Sequence, residues 1–382
     1  EYLNKRNIRK LEPTSFFMHG VCLLVDISGF TKLSGQFCDQ GKGGIDDLQL
    51  ATNGFMGQLV NIIYSFGGDI IKFAGDAVVC VFASENFAEE NEIPVDVILR
   101  AMHCARVIRE VRTDTLTVHV AMSCGEMCFG ILGGYENSWE CLISGPCIHQ
   151  LSDCLDDAPS KCAVISAGCF EALSGSNSVR TDMQTAPMSL PSQSLAGYVF
   201  SLNPLPSGNY TIDSIDCVVH PNEGAMDVTQ RRVQSFYEVS PAFIEAQSEI
   251  HDAKITEMVM QFVPINIAES LCSGGGGRLN AMSEIREVTT MFMKWDSYDS
   301  SLLHKDLVSL QPCFYEAQKL LHSTGAYLRQ FLVDDKGCVL IACWGVPSHS
   351  YPDNAQRALT AASSIHNILP QLGMDCSFGI TT

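Results

Sequence analysis

The sequence predicts a sandwich of mixed strands and helices, α/β or α+β, built twice in one chain. Short apolar runs of strand type alternate with longer stretches of helical periodicity. A Gly-Asp pair joins two of the apolar runs into a tight hairpin. The same order of runs then returns about 270 residues further on, too long a period for a solenoid and suited to a repeated domain.

The elements follow in order. Residues 1–15 are a polar lead-in. "VCLLVD" closes a strand over about 20–26, ends on Asp26 and runs into the turn "ISGFT". A helix is predicted over about 45–66, with an apolar stripe of Leu48, Phe55, Leu59, Ile62 and Ile63. "GDIIKFA" and "DAVVCVFA" are two strands joined at Gly75-Asp76. A helix over about 93–112 and the strand "LTVHVAMSCG" complete the unit. "CLISGPCIHQLSDC" (141–154) reads as an amphipathic helix after a Gly-Pro turn; its Cys and His spacings do not match a paired zinc-ligand pattern. Residues 172–192, rich in Ser, Thr and Pro, read as a loop, and "GYVFSL" (197–202) as a closing strand. "SGGGGR" (273–278) reads as a flexible connector rather than a phosphate loop, because no Gly-Lys-Ser/Thr follows and no strand leads in.

Composition narrows the function classes. The 382 residues are 46% hydrophobic and 18% charged, with a net charge of −19. So acidic a chain offers no general surface for nucleic acid or anionic membrane, and an anionic substrate needs a local positive feature. The 17 cysteines sit mostly in apolar runs without a disulfide framework, as expected of a reduced, intracellular, cytoplasmic protein. No signal peptide and no run of about 18 apolar residues is present, so no membrane span is expected.

The repeat carries the chemical clue. "EVTTMFMKWDS" (287–297) lies where "GVCLLVDISGF" does in the first copy, "STGAYLRQFLVDDKGCVLIACWG" matches "SFGGDIIKFAGDAVVCVFA", and 359–382 matches 101–125. Lys294 then stands at the place of Asp26, and Cys338 at that of Asp76. One copy has a carboxylate pair and the other has lost both. Each Asp alone is an ordinary turn residue. Two at one strand end suit Mg²⁺, which takes few protein oxygens and leaves the rest to water and phosphates. The backbone N–H groups of the Gly29 turn would bind phosphate without Lys or Arg.

"VDISGFT" and "KFAGDA" resemble the first catalytic domain of the class III nucleotide cyclases, in particular the soluble, bicarbonate-responsive adenylyl cyclases, and "FLVDDKGCVLIACWGVPS" resembles their second. The resemblance covers most of 16–202 and 284–382. It implies an α+β fold of two ferredoxin-like (βαββαβ) domains in tandem, paired as a pseudo-heterodimer: 16–202 the metal-binding half, 203–283 a linker, and 284–382 a second domain short of its C-terminal part. It implies an adenylyl cyclase making cyclic AMP and pyrophosphate from ATP, with two Mg²⁺ ions (Mn²⁺ able to substitute) held by Asp26, Asp76 and the Ile27 carbonyl.

Ile27, Ser28, Gly29, Phe30 and Thr31 would cradle the phosphates, with Gly75 and His119 nearby. His119 stands where relatives carry Lys, and a plain strand histidine is the alternative. Gln330, with Arg329 adjacent, occupies the base-reading Lys position, with Val333 beyond it. The Asn–Arg segment for the transition state would fall after Thr382. Bicarbonate, a candidate regulator with calcium, would meet Lys72 and Ile143; Ser152 stands where relatives have Arg, and an ion pair on an exposed strand is the other reading of Lys72. The competing functions are a nucleotide-binding regulatory module without turnover, motivated by Gln330, and a diguanylate cyclase, prompted by "GGD" at 67–69.

Overall fold

The computed structural model describes residues 10–83, 93–159, 161–175, 193–217, 256–264, 286–334 and 337–382. The glycine run at 273–278 and most of the loop read at 172–192 lie outside them. In chain order the elements are β1 (Thr14–Ser28), α1 (Phe30–Cys38), α2 (Lys42–Ser65), β2 (Asp69–Ala74), β3 (Ala77–Phe82), α3 (Val95–Ile108), β4 (Thr117–Tyr135), β5 (Ser138–Ser144) and α4 (Pro146–Asp156). There follow β6 (Ala163–Ile165), α5 (Ala167–Gly175), β7 (Gln193–Leu195), β8 (Tyr198–Pro204), β9 (Tyr210–Cys217), β10 (Thr289–Trp295), α6 (Gln311–Ser323), β11 (Tyr327–Asp334), β12 (Gly337–Trp344), α7 (Asn354–Ile368) and β13 (Cys376–Thr381). The fold is a mixed α+β one. Its chain divides into two compact units: Phe17–Met127 with Pro146–Val239, and Glu1–Phe16 with Cys128–Gly145 and Ser240–Thr382.

In the first unit the strand order is β2-β3-β1-β4-β6-β9-β8-β7. β1 is central, and Val21, Cys22 and Leu23 are buried in succession, as expected of a strand covered on both faces. The stripe read on α2 faces inward. Phe55, Leu59 and Ile63, four residues apart, are buried, and Leu48 and Ile62 pack beside them. On α3 the burial of Val97, Ile98, Leu99, Ala101, Met102, Cys104, Ala105 and Ile108 leaves little of the helix for water. Truncating Leu59 to Ala would cost about 2–5 kcal/mol through lost burial and the cavity left behind.

Part of the segment read as a linker belongs to this sheet. β9, at 210–217, pairs with both β6 and β8. Its alternation is irregular, with Ile212 and Ile215 the buried positions, so a period of two does not show in the sequence.

The second unit holds a four-stranded sheet of order β11-β12-β10-β13, with α6 before β11 and α7 before β13. That is the order of β2-β3-β1-β4 repeated. β10 alternates cleanly, burying Thr289, Met291, Met293 and Trp295. Its core gathers Trp295, Phe314, Phe331 and Trp344, with the Phe314 and Phe331 rings stacked at 4.4 Å.

The same unit contains a hairpin that the sequence reading missed. Residues 128–135 of β4 pair with β5 through a turn in which Glu136 (φ 49°) and Asn137 (φ 58°) are both left-handed, the signature of a type I′ hairpin. Two glutamines of α6 hold it. Gln311 accepts from Gly133 N–H at 2.9 Å and donates to the Gly133 carbonyl at 2.8 Å, and Gln318 donates to the Ser138 carbonyl at 3.0 Å.

Candidate functional site

The hairpin register places the two carboxylates together. β1 pairs antiparallel with β3 with Asp26 opposite Ala77, and β2 pairs with β3 with Ala74 opposite Ala77. Gly75 and Asp76 are therefore the two turn residues, and Asp76 is the direct neighbour of the residue facing Asp26. β1 runs two residues further than the sequence suggested, to Ser28, so Asp26 lies just inside the strand.

The charges of this corner interact. Burial lifts the Asp26 carboxyl above its ordinary value, the Asp76 charge lifts it further, and His119 draws it back. A half-buried acid held beside a second acid is costly to ionise, and a divalent cation removes that cost. The pair therefore fits Mg²⁺ or Mn²⁺. Among the described residues no group of three or more His, Cys, Asp or Glu side chains stands ready as a metal cage. Mg²⁺ characteristically takes one or two carboxylates and fills its other positions with water and phosphate.

The phosphate-loop candidates follow directly. Gly29 has φ 95°, and a Cβ there would stand 2.2 Å from the Thr115 carbonyl oxygen, so the turn admits no side chain. α1 begins at Phe30, a helix the sequence reading did not separate from the turn, and no side chain caps it. Ile27, Ser28, Gly29, Phe30 and Thr31 thus lead from the strand carrying Asp26 into a helix N-terminus, whose N–H groups attract anions. The missed signal was the run "FTKLSGQF", with Phe30, Leu33 and Phe37 at helical spacing. Gly75 sits in open space at φ 68°.

His119 stands on β4, the strand beside β1, with Nδ1 2.7 Å from the Ala158 carbonyl. A carbonyl only accepts, so Nδ1 carries the hydrogen. Lys72 on β2 faces Val79 just after a bulge.

The remaining candidates fall in the second unit. Ile143 lies on β5 opposite Phe129 and is buried. On β11 Gln330 faces Ile341 after a bulge at Arg329, and Val333 faces Cys338; both are buried. The structure brings Asp26, Asp76, His119 and residues 27–31 to one corner of one unit, and Gln330, Val333 and Ile143 belong to the other.

Among the described residues, no helix is long and apolar enough to cross a membrane. No protein-family model matches the chain. The sequence is 22% identical over 365 residues to adenylate cyclase type 10 of Mus musculus and, over 367 residues, to that of Homo sapiens; each alignment covers 94% of this chain and 21% of the relative. The chain therefore spans about a fifth of the length of the curated relatives it matches. Among solved structures it is similar to the adenylyl cyclase CyaB from P. aeruginosa, at 15% identity and a TM-score of 0.37 over 55% of this chain and all of that one. The similarity to class III cyclases carried by "VDISGFT" and "KFAGDA" thus extends along nearly the whole chain.

Proposed function

We propose, on the premise that the chain is a relative of the class III nucleotide cyclases, that it is the catalytic core of an adenylyl cyclase, converting ATP to 3′,5′-cyclic AMP and pyrophosphate in cytoplasmic signalling. The observation that carries this reading is the corner where Asp26 faces the neighbour of Asp76.

Asp26 and Asp76, with the Ile27 carbonyl, would hold two Mg²⁺ ions. Bound there, the ions supply Lewis-acid stabilisation of the phosphates and lower the pKa of the 3′-hydroxyl. The chain's own part is to fix positions. The N-terminus of α1 and the bare Gly29 backbone receive the triphosphate. His119, its Nδ1–H tied to Ala158, presents Nε2 as a second polar contact near Asp26. The 3′-oxygen then attacks the α-phosphorus in line and pyrophosphate leaves.

The domain reading goes with this proposal: 16–202 and 284–382 are cyclase domains that pair, with 203–283 between them except for β9, which completes the first sheet. The α6 glutamines that hold the 128–144 hairpin support it, because they tie a piece of the first copy to a helix of the second. Gln330 and Val333 would line the base pocket, and bicarbonate would meet Lys72 and Ile143, with calcium a further regulator.

Gln330 favours a second reading, a nucleotide-binding module without turnover, because an amide replaces the expected lysine. Product analysis with Mn²⁺ and either ATP or GTP separates the two. Cyclic AMP made by the wild type and lost in Asp76→Ala supports the cyclase. Nucleotide binding by calorimetry without any cyclic product supports the module.

A further inference from the structure

Behind the Gly29 turn stands a second turn, in the connection from α3 to β4. One residue, Thr113, closes it from both sides. The Thr113 N–H donates to the Leu116 carbonyl at 3.0 Å. The Thr113 hydroxyl oxygen accepts from the Leu116 N–H at 3.0 Å and from the Thr115 N–H at 3.3 Å. At the far end Leu116 is buried in the core, and β4 begins with the next residue. Thr113, Asp114 and Thr115 are exposed. The tip of the turn therefore has no buried side chain to anchor it, and the bonds to Thr113 decide where its peptide groups point.

This turn meets the phosphate-loop candidates through its backbone. The Thr115 carbonyl oxygen fills the place beside Gly29 where a side chain would begin, 2.2 Å from an ideal Cβ, and the Leu116 Cα stands 3.9 Å from the same point. Gly29 is the residue from which α1 starts, and its carbonyl accepts from the Leu33 N–H at 3.0 Å. The Thr115 carbonyl thus backs the hinge between the strand carrying Asp26 and the helix N-terminus. Glycine has no side chain to confine its backbone, so its left-handed conformation depends on such a neighbour. Among the described residues Thr113 bonds only within its own turn, away from both carboxylates.

We propose, resting on the cyclase reading of this corner, that Thr113 is a positioning residue for the nucleotide triphosphate. Its hydroxyl fixes the Thr115 carbonyl behind Gly29, and that carbonyl holds the N–H groups of residues 29–31 in the arrangement that receives phosphate. Thr113 acts through backbone two turns away from the reacting atoms. It strengthens binding of the ground state and of the transition state alike, so its removal shows in KM and not in kcat.

The test compares Thr113→Val, which keeps the branched shape and removes the hydroxyl, with Thr113→Ser, which keeps the hydroxyl. Initial rates with ATP and Mn²⁺, calorimetric binding of a non-reacting ATP analogue and amide hydrogen exchange are read on the whole chain. Thr113→Val should raise KM and weaken the analogue by about fivefold, the worth of one hydrogen bond, with kcat unchanged. Exchange in the peptide spanning Gly29–Leu33 should quicken in Thr113→Val and not in Thr113→Ser, whose KM should match the wild type. A wild-type KM in Thr113→Val, an equal loss in Thr113→Ser, or quickened exchange that stops at residues 113–116 overturns the proposal. A wild type that binds no analogue overturns the cyclase reading, and with it the triphosphate as the group positioned. Because the exchange measurement needs no nucleotide, it tells the two failures apart.

Discussion

The two sheets, β2-β3-β1-β4 and β11-β12-β10-β13, share a backbone and differ in chemistry. Val25 faces Val78 and Asp26 faces Ala77 in the first; Met293 faces Leu340 and Lys294 faces Val339 in the second. Both hairpins bulge at the same place, between Ile70 and Lys72 and between Leu328 and Gln330. Matching the registers sets Asp26 against Lys294, Asp76 against Cys338, Lys72 against Gln330 and Gly29 against Ser297. The alternation of apolar residues sufficed to build the sheet twice. Among the residues that distinguish the copies are these four pairs: three at turns or strand ends and one, Lys72 against Gln330, inside the second strand of each copy just after the bulge.

The surroundings of those residues diverged too. Asp76 sits in an open two-residue turn, whereas Cys338 is fully buried beneath a hairpin that continues past it to Asp334 and Gly337. Gly29 leads into a helix, but Ser297 is tied down by Asp375, whose N–H donates to its hydroxyl at 3.0 Å. The first corner is open to a ligand and the second is closed on itself.

The largest effect should come from the carboxylates. Asp26→Ala or Asp76→Ala should lower cyclic nucleotide formation by about 10³-fold or more, since each removes several kcal/mol of charge stabilisation. Lys294→Ala, at the matching place, should leave it unchanged. Circular dichroism should show all three folded. Equal losses in all three would break the comparison.

Restoring the missing acid should fail. Cys338→Asp buries a carboxylate without a partner and should cost about 3–5 kcal/mol, read as a lower urea midpoint. A neutral outcome would mean that the second corner is as open as the first.

Smaller is the backbone effect at Gly29. Gly29→Ala meets the Thr115 carbonyl at left-handed φ and should cost about 1–3 kcal/mol while raising the KM for nucleotide. Ser297→Gly should leave KM alone. Thermal melts and initial rates read both.

The smallest effect is on pH dependence. Because the folded Asp26 pKa is raised, the folded chain holds that proton more tightly than the unfolded one. Without metal, stability is therefore greatest below the ordinary carboxylate range and falls as pH rises from there through the folded pKa. Asp26→Asn should flatten this slope and raise the melting midpoint at neutral pH, and Mg²⁺ should narrow the gap between variant and wild type.

Much of this was legible in the sequence because it is carried by local patterns. The stripe on α2, the Gly75-Asp76 hairpin, the "GYVFSL" strand and the offset between copies all rest on short-range periodicity or turn chemistry. The register confirms Lys294 and Cys338 as the counterparts of the two acids. What was not legible depends on long-range pairing. β9 is a strand because β6 and β8 flank it, and Glu136-Asn137 lacks the glycine that usually announces a type I′ turn. Gln311 and Gln318 gave no signal, since an amide that bonds the backbone of a distant hairpin looks like any polar helix residue.

The central claim is that Asp26 and Asp76 together hold divalent cations for a nucleotide. Titration of the chain with Mn²⁺ in the presence of a non-reacting ATP analogue, followed by electron paramagnetic resonance, tests it most directly. The account predicts bound Mn²⁺ in the wild type and in Lys294→Ala, and its loss in Asp26→Asn and in Asp76→Asn. Binding that survives in both asparagine variants, or that is absent from the wild type, would contradict it.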